Sequence, residues 1–282
     1  MKYSFLFIIL MIFFGLTLPV KGYGGIIRTE ILCHPAVEGP GKIVMEIEII
    51  NTGNVTAYNM TATIFLAEWF HRYDELGDNP PDGRIPLSVR CHNPDMKPGS
   101  YVGVIRVRFE EQGGRSHTVY HFFEISHLLD QVNDYQSRMT LRLTAPLFNT
   151  KALWGSSGKS RLFMSNGHKS IIRPTVILYL PDGFSTQEPE RIYDLSPGQE
   201  RIATAPLIRD PSVSRNQIYH VVAWYEHEGR HYSHLIQGQI KVVERPFVFK
   251  TYLILCIGIL VVVCLILFFY GRKTKGKKSP GQ

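Results

Sequence analysis

The sequence predicts an all-β chain: two tandem antiparallel β-sandwiches followed by a single C-terminal transmembrane helix. Three observations predict it. Apolar residues alternate with polar ones in short runs between Gly, Pro and Asn turns, with no long amphipathic helix between them. Three sequence blocks recur in the same order, and the one long uncharged stretch lies near the C-terminus.

The chain opens "MKYSFLFIILMIFFGLTLPVKGYGG": Lys2, an uncharged run from Phe5 to Leu18, then Val20 and Gly22 at the small-residue positions of a signal peptidase site. Residues 1–22 are therefore expected to be a cleaved signal peptide. At the other end, Thr251 to Tyr270 carry no charge and are long enough, at ~1.5 Å per residue, to cross a ~30 Å hydrocarbon layer. Arg272, Lys273, Lys275, Lys277 and Lys278 follow directly and mark a basic cytoplasmic tail, 271–282. The expected topology is single-pass, with residues 23–246 outside the cytoplasm at the cell surface or in the periplasm. The bilayer is then itself a partner.

This topology reassigns the formal charge of +7. Seven of the 31 Lys and Arg lie in the two end segments and no acid does, which leaves 24 basic against 24 acidic residues between them. A balanced ectodomain lacks the electrostatic footprint that a nucleic-acid partner needs.

The repeat divides the ectodomain. "NTGNVTAYNMTATIFL" at 51–66 answers "SNGHKSIIRPTVILYL" at 165–180, with Gly53 set on Gly167 at an offset of 114. "MKPGS" at 96–100 answers "LSPGQ" at 195–199, read as matching type II turns. "FEEQGGRSHTVYHF" at 109–122 answers "YEHEGRHYSHLI" at 225–236, each a β-hairpin. Within the first copy, "KIVMEIEII" puts Ile43, Met45, Ile47 and Ile49 on one face, the period of a strand with one buried side. The expected bounds are 23–126 and 139–246 for the sandwiches, 127–138 for a short linker and 247–270 for the span.

The Asn-Thr-Gly turn before an alternating strand, the Pro-Gly turn and the closing hairpin together resemble the immunoglobulin-like repeats of the CARDB type, common in bacterial and archaeal surface proteins. The resemblance covers roughly 26–126 and 139–244. It implies an immunoglobulin-like fold and carries no shared catalytic residues.

The first copy's extra length, 67–95, reads as an inserted loop, and its aromatic cluster Trp69, Phe70, His71 and Tyr73 forms the candidate binding site. A lid folded onto its own sandwich is the alternative role for that segment. Cys33 and Cys91 both fall outside the membrane and form a candidate disulfide, since an oxidising compartment permits one. His227 and His231 flank a turn and form the candidate metal pair among eleven histidines; no metal or other cofactor is expected. Asn54 and Asn59 begin N-x-T sequons. "WGSSGKS" at 154–160 lacks the spacing of a phosphate loop, and no nucleophile elbow or paired-carboxylate arrangement is present. The expected role is non-enzymatic: a membrane-anchored binding, adhesion or scaffold protein with a protein or glycan partner. The alternative is an accessory subunit of a membrane-bound enzyme or transport complex.

Overall fold

In a computed structural model, residues 25–129, 135–150, 158–244 and 249–275 are described. They divide into two compact units. The expected signal peptide and the end of the basic tail lie outside the described residues.

In the first unit, β1 (Thr29–Gly39), β2 (Lys42–Asn51) and β5 (Arg84–His92) pair in the order β1-β2-β5. Strands β3 (Ala57–Leu66), β4 (Trp69–Asn79), β6 (Gly99–Glu110) and β7 (Ser116–His127) form the order β7-β6-β3-β4. The two sheets close on one core. Ile43, Met45, Ile47 and Ile49 of β2 are at most 2% exposed and share that core with Ile64, Ile105, Val107 and Phe123 from the facing sheet. Each such side chain contributes about 1.5–3 kcal/mol by leaving water, which sets the register: a one-residue slip of β2 would turn Glu46 and Glu48 inward. The unit also takes in Glu226–Ser233.

The second unit repeats the plan. Its first sheet holds β8 (Met139–Thr144), β10 (Gly158–Asn166), β12 (Phe184–Ser185) and β14 (Glu200–Arg209) in the order β12-β14-β10-β8. Its second holds β11 (Thr175–Tyr179), β13 (Glu190–Ile192), β15 (Gln217–His227) and β16 (Arg230–Val243) in the order β13-β11-β15-β16. Strand β9 (Leu147–Asn149) joins β16 in parallel. Helix α1 covers Phe249–Lys275, and its described side chains, Leu253 to Ile266, are all exposed. Among the described residues no helix is long and apolar enough to cross a membrane.

The repeated phrase has a physical cause, and the register inferred from its glycines needs correction. Asn51 is fully buried at the end of β2. Its amide donates to Val55 O (2.8 Å) and Asn79 O (2.9 Å), and its Oδ1 accepts from Gly53 N (3.0 Å). Asn166, fully buried at the end of β10, donates to Ser170 O (3.0 Å) and Leu195 O (2.8 Å) and accepts from His168 N (2.8 Å). The equivalent positions are thus the asparagines, and Gly53 corresponds to His168 rather than to Gly167. Thr52 N and Gly167 N play the same part, donating to Arg28 O and Arg138 O.

The second block is also misaligned in the sequence reading. Pro197-Gly198 precedes β14, where Gln199 N closes a turn on Ser196 O and Gly198 has φ +69°. Its counterpart is Pro81-Asp82 before β5, where Gly83 N bonds Pro80 O and Asp82 has φ +60°. Both turns clasp the buried asparagine: Asp82 N reaches Asn51 O at 2.8 Å, and Gly198 N reaches Asn166 O at 2.8 Å. Pro98-Gly99 instead opens β6, where a side chain at Gly99 would meet the His231 carbonyl oxygen at 2.0 Å. The third block falls on equivalent hairpins, with Gly114 and Gly229 at φ +75° and +71°.

Two further readings are corrected. Residues 67–95 are not a loop: they form β4 and β5, joined by the tight turn at Pro80–Gly83. Cys33 and Cys91 are free. Cys33 lies opposite Ile47 and Cys91 opposite Ile43, on opposite sides of β2. Four residues along and two strand spacings across put their Cα atoms ~16 Å apart, whereas a bridge needs less than ~7 Å. Burial holds the Cys33 thiol up at about 11, so it stays protonated. Unfolding without reductant is therefore expected to expose both thiols to alkylation. A chain lighter by two hydrogens and resistant to alkylation would overturn this assignment.

Candidate functional site

Strand β4 ends its sheet, with β3 as its ladder partner and, among the described strands, none on its other side. Its aromatic residues follow from the period of two. Trp69, His71 and Tyr73 stand opposite Leu66, Ile64 and Ala62, all buried, so the three rings lie in a row over the edge of the core. Trp69 stacks on His71 with centroids 6.2 Å apart and planes at 11°; His71 meets Tyr73 edge-on at 4.8 Å. The Tyr73 hydroxyl donates to Ser88 O of β5 at 3.1 Å. Partial burial and then the nearby Glu46 carboxylate raise the Tyr73 pKa, which keeps that hydroxyl a donor. Phe70 points to the other face and is 64% exposed, beside the Arg72–Asp74 ion pair.

The four sequence-predicted binding residues are therefore together, on an edge strand instead of a loop. Three form a fixed row with one polar anchor, while Phe70 stands apart on the opposite face. An open backbone edge flanked by aromatic side chains can pair with an extended peptide, or stack its rings against the apolar faces of a sugar.

The candidate histidine pair flanks the turn between β15 and β16. His231 is 1% exposed and stacked on Tyr101 at 3.8 Å and 5°, with its Nε2 2.8 Å from Ser233 Oγ. Its backbone N donates to Pro98 O, and its carbonyl accepts from the Tyr135 hydroxyl at 2.6 Å. Burial, reinforced by Lys97, lowers its pKa to about 3. His227 Nε2 lies 3.4 Å from Glu228. Among the described residues no group of three or more His, Cys, Asp or Glu could hold a metal ion.

The second unit holds the other polar cluster. Ser137 Oγ lies 2.7 Å from His234 Nε2 and 2.9 Å from the Tyr225 hydroxyl, which lies 2.9 Å from His168 Nε2. Met139 N also donates to Ser137 Oγ at 3.3 Å. These contacts commit the serine hydroxyl to internal satisfaction of buried groups. Sequence reasoning missed Ser137, because this pairing joins residues far apart in the chain.

No protein-family model and no curated protein matches the chain. Among solved structures, a Porphyromonas gingivalis W83 protein of unknown function is 11% identical, with 76% of this chain and 99% of that one covered and a TM-score of 0.33. The native form of Escherichia coli alpha-2-macroglobulin is 8% identical over 78% of this chain and 17% of its own, with a TM-score of 0.30. Red sea bream transglutaminase is 8% identical over 78% and 31%, with a TM-score of 0.26. At these scores the similarities identify neither a family nor an activity.

Proposed function

We propose that this chain is a membrane-anchored extracytoplasmic binding or scaffold protein without catalytic chemistry. Its tandem immunoglobulin-like sandwiches, of the CARDB kind, present the β4 edge to a protein or glycan partner. The observation that carries the contact reading is the aromatic row of Trp69, His71 and Tyr73 along a strand whose second edge has no partner among the described strands. Rigid aromatic side chains on a sandwich edge bring large contact area at little entropic cost.

The anchor reading is supported by the uncharged stretch Thr251–Tyr270, which falls inside the Phe249–Lys275 helix. The basic residues after it support a cytoplasmic C-terminus. The apolar run Phe5–Leu18 ahead of Gly22 supports export.

Protease added to intact cells should digest the region 25–244 and leave a tail epitope intact. Resistance that disappears only on permeabilisation would overturn the topology. A photo-crosslinking amino acid at Phe70 or His71 should give a discrete adduct in those cells. The adduct should be lost when Trp69→Ala or Tyr73→Ala is added, at a stability cost measured in parallel. An adduct unaffected by both changes would move the contact away from this row.

A further inference from the structure

The two copies differ in one surface that their shared plan makes directly comparable. In the second unit, the outward face of β8, β10 and β14 follows from the buried positions of Leu162, Met164 and Leu207, which point the intervening residues to solvent. That face carries Arg142, Lys159 and Arg161, all exposed, and none pairs with a carboxylate among the described residues. Between the cations runs an apolar strip. Phe163 lies opposite both Arg142 and Ile202, with the Arg142 guanidinium 4.8 Å from its ring centroid. Ile202 and Ile208 are 55% and 56% exposed. Among the described strand residues of this face, Glu200 is the one carboxylate. An open depression of about 690 Å³ follows Arg142, Phe163 and Ile202.

The same face of the first unit is balanced. Glu30, Glu46 and Glu48 stand against Lys42, Arg84 and Arg90, and Arg84 bonds Glu48 at 3.0 Å. The excess of basic residues is thus specific to the copy that leads into α1. Only residues 244–248 separate the end of β16 from the first residue of that helix, a gap that an extended chain bridges over at most about 20 Å.

We propose that the outer face of β8, β10 and β14 rests on anionic lipid headgroups of the membrane that holds α1. This proposal depends on the anchor reading above. Three unpaired cations meet negative headgroups, while Phe163, Ile202 and Ile208 enter the boundary between headgroups and acyl chains. Each basic residue near an anionic surface favours the docked state by a factor of roughly five, so the three together favour it about a hundredfold. Salt should weaken docking, because the attraction decays within a Debye length.

The test uses the full chain reconstituted into phosphatidylcholine vesicles, with or without phosphatidylserine, containing brominated lipid as quencher. Ile202→Trp adds a reporter whose emission is read as the difference from the parent chain. The reporter is expected to be quenched in the serine-lipid vesicles, and released by salt or by the combined changes Arg142→Glu, Lys159→Glu and Arg161→Glu. Those substitutions lie at exposed positions, and an unchanged melting transition establishes that the variant is folded. A reporter unquenched in both lipids overturns the proposal and leaves the face to a soluble partner or to none. Quenching that survives charge reversal overturns it as well. A chain that fails to float with vesicles at all overturns the anchor reading and the proposal together, whereas one that floats with its reporter unquenched overturns the proposal alone.

Discussion

Replacing Asn51 with alanine is expected to destabilise the first sandwich by roughly 3–5 kcal/mol, because it takes this partner from two carbonyl oxygens and one N–H at about 1–1.5 kcal/mol each. The side chain has no solvent to fall back on: it is fully buried, and its partners are Gly53 N and Val55 O in the connection from β2 to β3 and Asn79 O at the end of β4. For a unit of this size the loss corresponds to a fall in melting temperature of roughly 15–30 °C. Asn51→Asp should be at least as damaging, since a carboxylate would face the Val55 and Asn79 carbonyl oxygens with no proton to give them. Asn166→Ala should do the same to the second sandwich, where the partners are Ser170 O, Leu195 O and His168 N. Calorimetry that resolves the unfolding of the two units reads both effects. A change below about 1 kcal/mol in both variants would show that water replaces the lost bonds and that the shared asparagine is not what holds these corners.

Acid is expected to weaken the first unit through His231. Its folded pKa is lowered from 6.5 to about 3 by burial and, to a lesser degree, by Lys97. Between those values the unfolded chain binds a proton that the folded chain refuses, so stability rises with pH. The contribution is fully present above about pH 6.5 and is lost as pH falls towards 3. A shift of this size amounts to about 5 kcal/mol over that window, near 1.4 kcal/mol for each pH unit. His121 and His127 are also pushed down by burial and act in the same direction. His231→Phe keeps a ring against Tyr101 while removing the titrating nitrogen, and should flatten the slope by up to the His231 share. Denaturant unfolding at several pH values measures it, and a slope identical in the parent and in His231→Phe would refute the assignment.

The parts of the fold that were legible in the sequence are those encoded locally. The inward face of β2 could be read because Ile43, Met45, Ile47 and Ile49 alternate with outward residues, and all four are buried. The Gly114 and Gly229 hairpins could be read because a tight reversal needs positive φ, which both glycines adopt. Strand β4 could not. An edge strand exposes most of both faces, and Trp69–Asn79 accordingly has charged, aromatic and glycine residues in the proportions of a loop. The asparagine corners were half legible: the Asn and Gly letters were noticed, but the alignment followed the glycines. What recurs physically is a buried amide clasped by a later turn, and no local pattern reveals which turn closes on it.

The candidate site divides in the same way. Its four aromatic residues could be named because large rings are scarce in a polar segment. Their separation into a row of Trp69, His71 and Tyr73 with Phe70 on the far face required knowing that the segment is extended. The basic face of the second unit is partly written in "KSRLF", where Lys159, Arg161 and Phe163 alternate. Arg142 and Ile202 join them only through strand pairing.

The sequence by itself determined the β class, the duplication and the positions of the charge-free segments. Those properties depend on the chemistry of neighbouring residues and on a period of two. Only the tertiary structure decided that Cys33 and Cys91 stay apart, that His231 is a buried ring against Tyr101, and that the two asparagines are equivalent. Each of these is set by which strands lie side by side, and pairings between residues tens of positions apart leave no local mark on the chain.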